Sequence, residues 1–304
     1  MKVSKIIVLL MITLFTMYSL KAQQDPHYTQ YMFNTMSINP AYTGSKGHFT
    51  ASALGRTQWV GIDGAPDTQN FSFHTPLGYS GVGLGFNFVN DELGPAKETY
   101  FDGNISYTLR TSDKSQFAFG LRFGGRTLNL DWSKGSFQNT DVLFNENVDK
   151  FLPTVGAGIY FHTPKGYIGF SIPNFLRTEH YNDLVVALEV ERLHYFLIAG
   201  YVFDLSDSVK FKPATIAKIV DGAPLSIDVS ANFLFNEKFN LGVAYRWDDS
   251  VSAIVGFQIS DSLNIGYAYD LTTSNYKNYN FGTHEVMLTF DILRQATLKS
   301  PRFF

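Results

Sequence analysis

Seven histidines, and serines and carboxylates scattered along the chain, are the residues that could carry chemistry. Their spacing assembles no reaction centre. His284 is followed by Glu285, but no second histidine stands four residues on, so the zinc-binding helix motif is missing. No Gly-x-Ser-x-Gly turn is present to expose a serine nucleophile. Gly81, Gly83 and Gly85 have the look of a phosphate loop, yet they lie in an alternating segment with no helix after it. Asp248 and Asp249 lack the spaced oxygen ligands of a calcium loop. Cysteine is absent, which removes disulfides, thiolate metal sites, cysteine nucleophiles and a cysteine-borne lipid anchor. The reading is a protein that is not an enzyme, with no catalytic residue, no metal site and no cofactor. A net charge of −3 without a basic block argues against nucleic acid as a partner.

The polar residues instead occupy every second position of strand-like segments. In 225–236, Ile227, Val229, Ala231, Phe233 and Phe235 alternate with Asp228, Ser230 and Asn232, with Leu234 as the exception. A period of two gives a strand one apolar and one polar face. Fourteen such segments are expected, at 47–59, 69–76, 81–90, 98–110, 115–127, 153–163, 167–173, 192–204, 209–216, 225–236, 239–248, 250–260, 263–271 and 284–292. Aromatic residues make up 16% of the chain, an excess that suits girdles at two membrane interfaces. No later stretch is long and apolar enough for a membrane helix. The predicted fold class is all-β: a transmembrane antiparallel up-and-down β-barrel of about 14 strands spanning 46–292.

The ends of the chain agree with export. Lys2 and Lys5 precede an apolar run from Ile6 to Phe15 broken only by Thr13, and Ser19 to Ala22 then lead into Gln23, with Leu20 a poor fit to the small-residue rule. Residues 1–22 read as a signal peptide cleaved near Ala22, which places the mature protein in the outer membrane of a Gram-negative bacterium. Residues 23–45 do not alternate and contain Pro26 and Pro40. They form a periplasmic or lumenal segment, expected to pack in the barrel or on a partner. Residues 293–304 form a periplasmic tail.

The connections add an independent signal. Every second one is short, and most of the others are long, notably 128–152, 174–191 and 272–283. The 248–250 connection is taken as the one tight hairpin on the long side. Short periplasmic turns opposite long outer loops are the asymmetry of outer-membrane barrels, which a secreted β-sandwich does not require. Closure is also obligatory, because an open edge in lipid leaves backbone groups unpaired at several kcal/mol each. The expected lumen collects Arg56, Gln58, His74, Asn87, Asn104, Arg110, Arg122, His162, Asp228, Asn232, Arg246, Gln258 and Asp270 beside many glycines. Mixed charge of this kind reads as an ion-pair network, since a selectivity ring would favour one sign. Fourteen strands leave space, so the lumen holds water, a partner, or part of this chain, with 23–45 and 128–152 as the available fillers.

Several stretches resemble the PorP/SprF family of type IX secretion system membrane proteins. QQDPHYTQYMFN and INPAYTGS at 38–45 open the mature chain, RTQWVGIDGAPDT follows at 56–68, and GTHEVMLTFDI and a terminal SPRFF close it. The likeness runs from residue 23 to 304. It implies a barrel component of protein export that supports secretion and surface anchoring of a cargo, such as an adhesin with a type B C-terminal domain, in gliding or pathogenic bacteria. It implies partners among the secretion components of periplasm and outer membrane, besides outer-membrane lipid, and no catalytic residues. The alternative is a transport pore for small or hydrophobic solutes. Candidate partner-binding residues are Asp25, Pro26, Tyr28, Asn39, Pro40 and Tyr42 in the opening motifs. Leu184, Val185, Val186 and Leu188 form an apolar run in an outer loop, read either as a docking patch or as a loop packed on the rim. Arg302 and Phe304 complete the set at the C-terminus.

Overall fold

The structure is a computed structural model that describes residues 26–78, 80–134, 147–176, 193–220 and 223–292. The described residues form fourteen antiparallel strands. They are β1 (Phe49–Thr57), β2 (Asp67–Pro76), β3 (Val82–Leu93), β4 (Ala96–Arg110), β5 (Gln116–Leu130), β6 (Val148–His162) and β7 (Gly166–Ile172). Then come β8 (His194–Tyr201, resuming after Val202 as Phe203–Asp204), β9 (Val209–Val220), β10 (Ser226–Phe235), β11 (Phe239–Arg246), β12 (Ser250–Gln258), β13 (Leu263–Thr272) and β14 (Thr283–Ile292). Each strand pairs with its sequence neighbours, and β14 pairs with β1 from Ile292 opposite Phe49 to His284 opposite Thr57. The sheet therefore closes and leaves no free edge to lipid.

The alternation maps onto the two faces. In β11 the outward Phe239, Leu241, Val243 and Tyr245 are exposed, and the inward Asn240, Gly242, Ala244 and Arg246 are buried. Outward rings make a belt near the short-turn end: Phe211 stacks on Phe233 with centroids 4.8 Å apart and on Phe203 at 6.2 Å. Aromatic belts of this kind mark where the apolar wall meets the headgroups.

Strands β4, β5 and β6 have fifteen residues each, longer than the alternation implies. Their outer ends turn polar on the outside as well. Asn90 donates to Gln69 at 2.8 Å and Thr99 donates to Asn90 at 3.3 Å across the outer surface. Above the apolar band, water meets both faces and the period of two loses its contrast. This side of the barrel thus rises past the membrane, whereas β11 to β14 have eight to ten residues. A second tight outer connection accompanies the rise, with Leu93 paired to Ala96 across Gly94 and Pro95. The 248–250 hairpin is therefore not alone.

Three expected lumenal residues keep the inward alternation but stand at the rims of the barrel. Gln58 follows the end of β1, Gln258 ends β12 half-buried, and Arg110 is exposed at the short-turn rim, where the strand runs into water. Residues 1–22, expected to be a signal peptide, Asp25, the run with Leu184, Val185, Val186 and Leu188, and Arg302 and Phe304 lie outside the described residues.

Candidate functional site

The lumen holds the chain's own N-terminal segment. From residue 26 to 48 the chain runs from the outer half of the barrel to the short-turn rim. Two short 3-10 turns, Thr35–Ser37 and Pro40–Tyr42, shape it. The second follows from local chemistry. Pro40 fixes the first helical φ, and the Asn39 side chain caps the turn by accepting from the Ala41 N–H at 2.9 Å. The two proline motifs are therefore a folded, buried element.

At its outer end the segment is held by charge. The carboxylate of Glu285 accepts the backbone N–H of Thr29 at 2.9 Å and of Gln30 at 2.8 Å. The Arg56 guanidinium lies 2.9 Å from Asp270 and 3.0 Å from Glu285, and donates to the Thr29 hydroxyl at 3.1 Å. Thr29 in turn donates to Asp270 at 2.8 Å. All of these groups are buried, so each charge depends on the others for its missing hydration. A second pair, Arg246 with Asp228 at 3.2 Å, stands beside them. Burial, with the Asp228 carboxylate close by, pushes the Tyr31 phenol well above its ordinary pKa and keeps it protonated.

Further down, the wall reads the segment's amides and carbonyls. Arg122 donates to the Met36 and Ser37 carbonyls, both at 2.9 Å. Asn34 donates to Asn70 at 2.6 Å, and Asn70 to Asn87 at 2.8 Å. Asn39 donates to the Ile159 carbonyl at 3.0 Å, Ser171 to the Ile38 carbonyl at 3.0 Å, and Ser106 to the Thr43 carbonyl at 2.6 Å. At the rim, Lys46 and His48 lie 3.3 and 3.2 Å from Asp291.

Inward glycines make this fit. A Cβ on Gly120 would lie 2.1 Å from the Ala41 nitrogen, and one on Gly158 would lie 2.1 Å from the Asn39 side-chain oxygen. One on Gly83 would lie 2.4 Å from the Thr43 carbonyl oxygen. The wall is stripped to backbone where the segment presses on it. Apolar packing completes the seat, with Leu54, Ile254 and Met287 against Tyr28, Tyr31 and Met32. Tyr42 meets the rings of His74 and Tyr160 edge-on, with centroids 5.5 Å away in both cases.

Of the candidate partner-binding residues, Asn39, Pro40 and Tyr42 are buried in these wall contacts. Pro26 and Tyr28 border a cavity of about 110 Å³ left above the segment, beside Tyr31, Phe196 and Arg122. The loop 128–152, the other available filler, supplies strand at both described ends. Sequence reasoning singled out Arg56 and Asp270 but not Glu285, although its place between Thr283 and Met287 in the inward register marks it. No group of three histidine, aspartate or glutamate side chains able to hold a metal occurs among the described residues.

Comparison with known proteins completes the picture. The sequence profile described as "Type IX secretion system membrane protein PorP/SprF" matches residues 20–290. A search of curated proteins finds no significant match. Among solved structures, the fold is similar to the CymD monoaromatic hydrocarbon channel, with TM-score 0.50 and 13% identity over 86% of this chain and 93% of that one. A Pseudomonas aeruginosa FadL homologue gives TM-score 0.48 and 13% identity over 88% and 94% of the two chains. At that identity the likeness to CymD shows the fold alone, a closed β-barrel. With the profile running through nearly the whole length of this closed barrel, the chain belongs to the PorP/SprF family of type IX secretion system membrane proteins.

Proposed function

We propose that this outer-membrane barrel supports the secretion of a cognate cargo protein and anchors it at the cell surface, the cargo being an adhesin with a type B C-terminal domain. A role in gliding motility is part of the same proposal. One observation carries it: the lumen is occupied from Pro26 to His48 by a segment bonded along its length to the wall. A solute pore needs that volume. A scaffold does not, and gains rigidity from it.

The surface left for a partner is the outer mouth. There Trp59 stacks on Tyr276 with centroids 5.1 Å apart, and Tyr279 and Phe281 stand 72% and 76% exposed on the neighbouring loop. Aromatic groups on loops over a rigid frame are common contact anchors. Pro26 and Tyr28 line the outer cavity, Tyr28 as a buried side chain. The run with Leu184 and Val185 and the tail with Arg302 and Phe304 keep their proposed contacts with cargo and with periplasmic components.

Affinity purification of the tagged protein from its native outer membrane tests this. Recovery of a secreted protein bearing a type B C-terminal domain, lost when Tyr279 and Phe281 are both changed to serine, is the expected result. Recovery of neither a cargo nor a secretion component would overturn it. The alternative, a pore for small or hydrophobic solutes, would gain from steady conductance of the purified barrel.

A further inference from the structure

The segment in the lumen has a direction. Thr29 and Gln30 are fastened to Glu285, Arg56 and Asp270, each within three residues of the outer-loop end of its strand. Lys46 and His48 meet Asp291, one residue from the short-turn end of β14. Glu285 and Asp291 are six residues apart on that strand, a rise of about 20 Å. The segment therefore crosses most of the height of the wall, with its N-terminal end outermost. Pro26 and His27 lie beyond Thr29, in the cavity bordered by Ser226 and Arg246 at the outer ends of β10 and β11.

The other end makes a reversal. Gly44 and Gly47 have φ of +74° and +79°, left-handed values that glycine adopts without strain. β1 then starts at Phe49 and runs outward, so residues 26–43 are an arm folded back inside the wall. The seat admits one chain. Tyr31, Met36 and Ala41 are exposed by 2% or less. A Cβ on Gly85 would lie 2.6 Å from the Met36 sulfur, and one on Gly120 already meets the backbone of Pro40 and Ala41. A second pass of polypeptide has no volume at that level. An arm with its end outermost and no room beside it is laid in free end first. A chain still held in the inner membrane by its N-terminus would have to climb the lumen to Pro26 and return down it.

We propose that removal of residues 1–22 is the precondition for filling the lumen, and that the new N-terminus stands at the outer mouth, facing the cell exterior. The cut is hydrolysis of one peptide bond near Ala22, which leaves a carboxylate on the leader and an amino group on the mature chain. The cut chain enters with its free end leading, pivots at Gly44 and Gly47, and locks at Thr29 and Gln30. Uncut chain cannot occupy the seat. The inference rests on the reading of residues 1–22 as a signal peptide and is independent of any cargo role.

Two measurements on the full chain in its native cells test it. The sequence has no cysteine, so Gln24→Cys introduces a single thiol. A membrane-impermeant maleimide added to intact cells should label it. Ser112→Cys, in the exposed short turn after β4, should stay unlabelled until the outer membrane is permeabilised. Failure of position 24 to label before permeabilisation would overturn the exterior placement. Ala22→Phe blocks the cut, and intact mass identifies the uncut chain. Trypsin should cleave that chain after Lys46, which in the mature protein is held at Asp291 and resists. An uncut chain that forms a heat-modifiable barrel with Lys46 protected would overturn the precondition. If the uncut chain does not assemble, a site-specific protease sequence inserted between Gln23 and Gln24 decides. Cutting there in detergent should restore assembly and protect Lys46, and a cut chain that still fails to assemble would overturn the proposal.

Discussion

At its outer end the N-terminal segment is gripped by charge, and at its inner end by fit. Thr29 and Gln30 are held through Glu285, Asp270 and Arg56, groups whose strength comes from their shared exclusion from water. Asn39 to Thr43 are held against Gly158, Gly120 and Gly83, where the wall contributes the absence of side chains. The first grip depends on balance, because removing one charge leaves another buried and unpaired. The second depends on volume, because a well-packed site has no room for a new methyl. A segment clamped by two unrelated means should not be released by one small disturbance.

Substitutions at each end separate the two. Glu285→Ala should have the largest effect. It strips two backbone amides of their acceptor and leaves Arg56 with Asp270 alone, at a cost of about 3–5 kcal/mol. Denaturant unfolding in detergent reads that loss, and hydrogen exchange should rise first at residues 29 and 30. Gly120→Val comes next, at about 1–3 kcal/mol for overpacking. Its exchange increase should centre on residues 39–43 and leave 29 and 30 protected. If both variants loosen the whole segment alike, the two grips are one. Asn39→Ala is the smallest, about 1 kcal/mol for a lost cap. It should shorten the protection of the Ala41 amide without moving the thermal midpoint by more than a few degrees.

Much of the barrel was legible in the sequence because two different media write the alternation. Lipid demands Leu241, Val243 and Tyr245 on one face, and the lumen tolerates Asn240, Gly242 and Arg246 on the other. Where the medium is the same on both sides, the signal stops, which is why the alternation ends before the outer ends of β3 to β6. The site was less legible. Residues 26–48 are amphiphilic in composition, and a polar lumen and a polar partner surface ask for the same residues. A decisive clue was present in the inward register itself. Leu54, Ile254 and Met287 face the lumen and are buried to within 3% exposure, which water in an open channel would not favour. Inward apolar residues among glycines signal an occupied interior. Glu285 was hidden for a different reason: a single carboxylate in an alternating strand looks like any other lumenal polar group until its partners are placed in space.

Conductance of the purified full-length protein in planar bilayers tests the occupied lumen most directly. The account predicts a membrane-inserted barrel that carries no steady current, with openings appearing when Gly120→Val or Glu285→Ala loosens the segment. A steady open channel in the intact protein, unchanged by either substitution, would contradict it.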